Sequence, residues 1–343
     1  MISERDVRTA LGTVKFPGFS RDIVSFGMVT AIKIDGSNVN VTLTVTSDDN
    51  KKLDDLHVAA ARVVGKLPGV TAVAVDIQTP PSPKASAPAE AQKKGIPGVR
   101  RAIAVGSSKG GVGKTTVAVN LAVALAERGL HVGLLDADVY GPNVPRMMGL
   151  SGEPRASANG KIQPLEHFGV RVMSLGFFVN AETPVIWRGP MVGKMIEQFV
   201  TDVDWGDLDI LLIDLPPGTG DAQLSLSQVL PLDGAIIVST PQKVALEDAM
   251  KGLVMFEKVN VPIVGVIENM SYFVCPHCGK RTNIFDNGQT AKECQRMHVT
   301  FLGEIPLDPS IRQGGDEGTP VLRAAPKSVQ ADAFRKIAAR LAL

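Results

Sequence analysis

The run Ser108-Lys109-Gly110-Gly111-Val112-Gly113-Lys114-Thr115-Thr116 decides how this chain is read. It follows an apolar stretch, Ala102-Ile103-Ala104-Val105, and precedes a helical pattern from Val117 to Glu127. A glycine-rich loop between a strand and a helix is the setting in which a phosphate is cradled. Glycines let the backbone curl so that its N–H groups point inward, and the helix N-terminus adds partial positive charge. Lys114 is placed to reach the β- and γ-phosphates, and the Thr115 hydroxyl to ligate Mg²⁺. Nucleotide contacts are therefore expected along the whole run: Ser108, Lys109, Gly110, Gly111, Val112, Gly113, Lys114, Thr115 and Thr116.

The usual pattern opens on a glycine, and Ser108 stands there instead. A second lysine, Lys109, lies inside the loop. K-G-G-x-G-K-T-T resembles the deviant phosphate loop of the ATPases related to MinD, ParA and the nitrogenase iron protein. That resemblance implies a dimerising switch ATPase in which Lys109 reaches the partner's nucleotide, so that Lys109 joins Lys114 among the catalytic residues.

Two further strand ends complete the nucleotide site. Val132–Leu135 runs into Asp136-Ala137-Asp138, and carboxylates one residue apart can hold a metal-bound water or position an attacking one. The resemblance assigns Asp138 to the attacking water and Asp136 to the metal's water shell. Ile210-Leu211-Leu212-Ile213 ends in Asp214-Leu215-Pro216-Pro217-Gly218-Thr219-Gly220-Asp221. An apolar strand ending in an acid is the Walker B arrangement, with Asp214 on Mg²⁺ through a water. The glycines after it read as a second switch, with the Gly218 N–H registering the γ-phosphate. Asn269 follows the strand Val261–Ile267, and its amide offers the donor and acceptor that an adenine edge requires. In the related ATPases an asparagine here reads adenine. The chain has no N-K-x-D or T-K-x-D guanine motif, so ATP is the expected nucleotide.

Val274-Cys275-Pro276-His277-Cys278-Gly279-Lys280 is a metal knuckle. Two thiolates do not close a site, and three completions compete. Two chains can pool Cys275 and Cys278 around one [4Fe–4S] cluster. One chain can add Cys294 and His298, which are spaced i, i+4. The pair can instead be a redox dithiol.

Taken together, S-K-G-G-V-G-K-T-T, D-A-D-V-Y-G-P-N, D-L-P-P-G-T-G-D and V-C-P-H-C-G resemble the Mrp/ApbC branch of P-loop ATPases, the iron–sulfur cluster carrier proteins. The resemblance covers residues 99–343. It implies a homodimer with a labile [4Fe–4S] cluster bridged by Cys275 and Cys278. It also implies slow ATP hydrolysis linked to cluster transfer, and apo iron–sulfur proteins and scaffold proteins as partners. Cys294 and His298 are then ordinary helix residues. The rival reading is a MinD- or ParA-like positioning or partition switch, with the cysteine pair as structural zinc ligands.

The chain has 343 residues, 44% of them hydrophobic, enough for two domains with sizeable cores. Residues 80–98, rich in proline and alanine, read as a linker. Before it, residues 1–79 read as α-β-β-α-β, a small α+β domain. This domain resembles the iron–sulfur-assembly-associated domain through Phe16-Pro17-Gly18, Asp22-Ile23-Val24 and Phe26-Gly27-Met28-Val29. Its Asp-Pro-Glu signature is replaced by Phe16-Pro17-Gly18, which leaves a docking role. After the linker, apolar strands alternate with helical patterns over residues 99–343. The fold class is α/β: a P-loop NTPase with a mostly parallel sheet covered by helices on both faces. A net charge of +1 argues against a nucleic-acid partner. The first residues lack a signal-peptide pattern and no apolar run is long enough to span a bilayer, so a cytoplasmic location without membrane attachment is expected. Phe334–Leu343 is basic and amphipathic, which suits a closing surface helix or an interfacial one. Three cysteines make no disulfide framework.

Overall fold

The computed structural model describes residues 2–14, 22–25, 27–44, 50–78, 95–139, 141–157, 160–178, 189–285 and 288–341. They form two compact units, Met1–Ala91 and Gln92–Leu343. Phe16-Pro17-Gly18, Phe26 and most of the expected linker lie outside the described residues. The last four linker residues do not behave as a linker. Ile96 is buried in the core of the second unit, and the Gly98 carbonyl accepts the Leu208 N–H at 2.7 Å. An apolar side chain six residues before the unit's first strand residue, Ala102, is drawn onto the core, so the second unit begins earlier than residue 99.

In the first unit, α1 (Glu4–Leu11) starts at a capping box in which Ser3 and Asp6 satisfy each other's N–H groups. β1 (Val29–Asp35) and β2 (Asn38–Thr44) form an antiparallel hairpin, α2 (Asn50–Gly65) follows, and β3 (Ala72–Gln78) pairs parallel to β2. Alternation puts Val39, Val41 and Leu43 on the face that packs with Val7, Leu11, Leu56, Ala60 and Val64.

The second unit is built on β4 (Ala102–Gly106), α3 (Lys114–Glu127), β5 (Val132–Asp136), α4 (Val144–Met147), β6 (Leu165–His167) and β7 (Val170–Ser174). It continues through α5 (Gly189–Thr201), β8 (Ile210–Asp214), α6 (Asp221–Val229), β9 (Gly234–Ser239), α7 (Lys243–Lys258) and β10 (Ile263–Glu268). A small hairpin, β11 (Phe273–Val274) and β12 (Arg281–Thr282), precedes α8 (Gln289–Arg296) and β13 (Phe301–Glu304). The helices α9 (Pro309–Asp316), α10 (Val321–Ala324) and α11 (Val329–Arg340) close the described chain.

The eight-stranded sheet has the order β13-β10-β9-β4-β8-β5-β7-β6. Every pairing is parallel except that of β6 with β7. The central strands carry no polar residue before their last position, as burial on both faces demands. α3 is apolar almost all round, and Val117 to Leu125 are buried. The register places Asp136 beside Asp214 at the carboxyl ends of β5 and β8. Chain direction departs both ways from β4, and such a switch point opens a crevice above the sheet. In α11, Phe334 and Ile337 are buried in the core, so the apolar face of this basic helix is already covered. Among the described residues, no helix is long and apolar enough to cross a membrane.

Candidate functional site

The crevice holds two adjoining cavities. One, of about 190 Å³, is lined by Ser107, Lys109 to Thr116, Asp138 and Pro217. The other, of about 380 Å³, opens beside it between Gly113, Thr115, Thr116, Asn269, Met270 and residues of α4 and α9. The first has the position and lining of a phosphate cradle, and the second those of a base pocket.

The cradle is shaped by backbone. Gly113 caps α3 with φ of +81°, which leaves the first N–H groups of the helix without side-chain partners at the cap. An added Cβ there would lie 2.3 Å from the Asn269 amide nitrogen, so the position demands glycine twice over. Ser108 points away from the cradle: its buried hydroxyl faces α7, where a Cβ on Gly252 would come within 2.4 Å of it. Lys109 lines the cradle half-buried, and its carbonyl accepts the Ser107 hydroxyl at 3.0 Å.

Inside the cradle the charges satisfy one another. Lys114 Nζ donates to Asp214 Oδ1 at 2.6 Å, with the two side chains 5% and 0% exposed. The Thr115 hydroxyl donates to Asp214 Oδ2 at 2.7 Å. Asp138 Oδ2 lies 3.7 Å from Lys114 Nζ. Asp136 accepts the Ser174 hydroxyl and the N–H groups of Val144 and Asp138. Burial, and then the neighbouring Asp214 carboxylate, push the Asp136 carboxyl up to about 8. One hydroxyl and two carboxylates converge here, a donor set that suits a hard cation such as Mg²⁺. The Gly218 N–H is engaged elsewhere, donating to the Ser107 carbonyl at 2.8 Å. It can meet a phosphate only after the loop shifts.

Asn269 sits at the boundary of the two cavities. Its side-chain amide donates to the Val112 carbonyl at 2.8 Å, leaving the amide oxygen for a base. Sequence reasoning missed the remaining wall: Met270, Pro306, Leu307, Asp308, Ile311 and Arg312. A readable signal was there in Pro306-Leu307-Asp308-Pro309, a strand exit leading to an acidic helix cap.

Cys275 and Cys278 lie in the connection of the β11–β12 hairpin, which leaves the same strand end as Asn269. The Cys275 N–H bonds the Lys280 carbonyl at 3.0 Å, and the Gly279 N–H bonds the Cys275 carbonyl at 2.8 Å. Cys278 is exposed and Cys275 half-buried. N–H groups of Cys278 and His277 directed at the Cys275 sulfur, with the Cys278 thiol, hold Cys275 below the ordinary thiol range. Cys294 is placed differently: it is buried in the core, which pushes its thiol up to about 11. His298 is exposed. Among the described residues no three metal-ligating side chains gather, so Cys294 and His298 do not complete a site with the knuckle.

Comparison with known proteins bears on the family and the fold. Residues 98–342 match the family described as the NUBPL iron-transfer P-loop NTPase, and residues 4–77 match the iron–sulfur cluster assembly protein family. The iron–sulfur cluster carrier protein of Helicobacter pylori is 44% identical over 340 residues, 98% of this chain and 92% of that one. Among solved structures, a nucleotide-binding protein of Archaeoglobus fulgidus in complex with ADP is 40% identical, with a TM-score of 0.59 over 66% of this chain and 89% of that one. The cell division ATPase MinD of Pyrococcus furiosus is 29% identical, with a TM-score of 0.54 over 70% of this chain and 98% of that one.

Proposed function

The chain belongs to the NUBPL iron-transfer P-loop NTPase family, and from that premise we propose that it binds iron–sulfur clusters and passes them to apoproteins under the control of ATP. The observation that carries this reading is the knuckle of half-buried Cys275 and exposed Cys278, held by a hairpin that follows the strand end at Asn269.

In this reading two chains pair, and their knuckles hold one [4Fe–4S] cargo by four thiolates. ATP lies with its phosphates against the loop Ser108–Thr116 and its base against Asn269. Thr115 and Asp214, supported by Asp136, hold Mg²⁺, which supplies charge neutralisation on the phosphates. Lys114 leaves Asp214 for the phosphates, and Asp138 orients the attacking water. Lys109 reaches the partner's nucleotide. The loop at Gly218 gives up Ser107 and registers the γ-phosphate. Turnover is slow, because the product is a change of state. Donor scaffolds and acceptor apoproteins meet the protein in the cytoplasm, and the first unit serves docking.

Anaerobic reconstitution with iron and sulfide tests this, with iron, sulfide and zinc measured per chain beside the oligomeric mass. A coloured dimer with one cluster per two chains supports the carrier, provided the colour is lost in Cys275→Ser and Cys278→Ser. A colourless zinc protein sinks it and favours the positioning-switch alternative.

A further inference from the structure

We infer that the turn Asn269–Tyr272 ties the nucleotide pocket to the cysteine hairpin, with Ser271, Glu304 and Arg281 as positioning residues; this rests on the nucleotide-controlled carrier reading.

The four residues of the turn divide two and two between two sites. Asn269 bonds the loop carbonyl of Val112, and Met270 lines the base cavity with φ of +55°. Residues without a special reason rarely adopt that conformation, so the turn is over-determined by its neighbours. Ser271 faces the other way. Its N–H bonds the Ile305 carbonyl, and its hydroxyl sits between two carboxylates, 2.5 Å from Glu268 Oε1 and 3.2 Å from Glu304 Oε2. Glu304 in turn takes the Arg281 guanidinium in a two-pronged pair at 2.7 and 2.9 Å. Arg281 stacks on the Tyr272 ring with its carbon 3.7 Å from the centroid. Arg281 is also the cross-strand partner of Val274, the residue before Cys275.

The path from Val112 to Cys275 therefore runs through hydrogen bonds, one stacked pair and one strand pairing. The Tyr272 carbonyl closes it by accepting the Leu307 N–H at 2.7 Å, and Leu307 lines the base cavity. A base seated against Asn269, Met270 and Leu307 acts on three of the turn's anchors at once. The turn cannot shift at Asn269 without moving Ser271 between its carboxylates, and through Glu304 the clasp on Arg281. A ligand changes the hairpin only through such differential contacts.

The test is the alkylation rate of Cys275 and Cys278 in the metal-free full chain, with and without Mg-ATP, read by mass spectrometry. Buried Cys294 serves as the unlabelled marker of folded protein. In the parent chain Mg-ATP should change the rate about fivefold or more. Ser271→Ala and Arg281→Lys should bring that ratio close to unity while ATP affinity stays within about twofold. Ser271→Thr, which keeps the hydroxyl, should retain the parent ratio. Variants that keep the full ratio overturn the inference and leave ATP control standing by another route. A parent ratio near unity also overturns it, and cluster delivery with and without ATP then judges the control reading by itself.

Discussion

Lys114 Nζ lies 2.6 Å from Asp214 Oδ1, and neither side chain is more than 5% exposed. Lys114, expected to meet phosphate, and Asp214, expected to meet the metal, hold each other. In the proposed cycle, nucleotide loading exchanges this ion pair for two new ones. Lys114→Met should therefore do more than abolish nucleotide binding. It strands the Asp214 carboxylate in the core, at a cost of about 3–5 kcal/mol. Adding Asp214→Asn should recover much of that stability and none of the binding. Urea unfolding and titration with a fluorescent nucleotide read the two effects separately.

Asp136 gives the pH dependence. Its carboxyl is raised from 3.8 to about 8, so the folded chain holds a proton that the unfolded chain has released. Its contribution is then most favourable below pH 4 and is lost as pH rises towards 8, at about 1 kcal/mol per unit or less. Asp136→Asn should flatten this slope and leave the nucleotide-free second unit more stable at pH 8 than the parent. Binding of Mg-nucleotide should weaken in the same variant. Thermal unfolding across pH 5–9 checks the slope; a parent curve as flat as that of the variant contradicts the assignment.

Gly113→Ala should cost about 2 kcal/mol, from the left-handed backbone and from the displaced Asn269 hydrogen bond. Nucleotide affinity should fall with it. Asn269→Ala in the same chain should relieve the clash and part of the instability, while affinity for adenine nucleotides stays low against that for bare triphosphate.

The cysteines should divide into two classes. Cys275→Ser and Cys278→Ser change half-buried and exposed positions and should alter stability by less than about 0.5 kcal/mol, while removing bound iron and sulfide. Cys294→Ser puts a hydroxyl into the core and should cost about 1–3 kcal/mol with cluster content unchanged. Denaturation midpoints and iron analysis on the same preparations decide.

Gly252→Ala drives a methyl into the Ser108 hydroxyl and should destabilise the second unit. Ser108→Gly, which restores the usual first glycine of the loop, should tolerate Gly252→Ala. A double-mutant cycle reads this as coupling between two positions 144 apart in the chain (252 minus 108).

Most of the sheet was legible because its central strands are short continuous apolar runs ended by an acid, a glycine or a serine. β4, β5, β8 and β10 fall within one or two residues of expectation. β6 was not legible: three residues, Leu165-Glu166-His167, pair antiparallel at an edge and show no period. α9 was also hidden, since Gly314 and Gly315 sit inside it and weaken any helical propensity. The loop, Asp136, Asp138, Asp214 and Asn269 do meet around one crevice. What the residues alone could not reveal were the partners brought there from afar. Ser174 on Asp136, Gly252 under Ser108 and Glu304 on Arg281 depend on strand order, and strand order leaves no local mark.

β10 and β13 are neighbours in the sheet. Everything between them is thus a limb that leaves and re-enters the sheet at one seam. Shortening that limb disturbs no other strand pairing. Replacing residues 275–280 by a tight turn should leave an intact ATP-binding protein with no cargo.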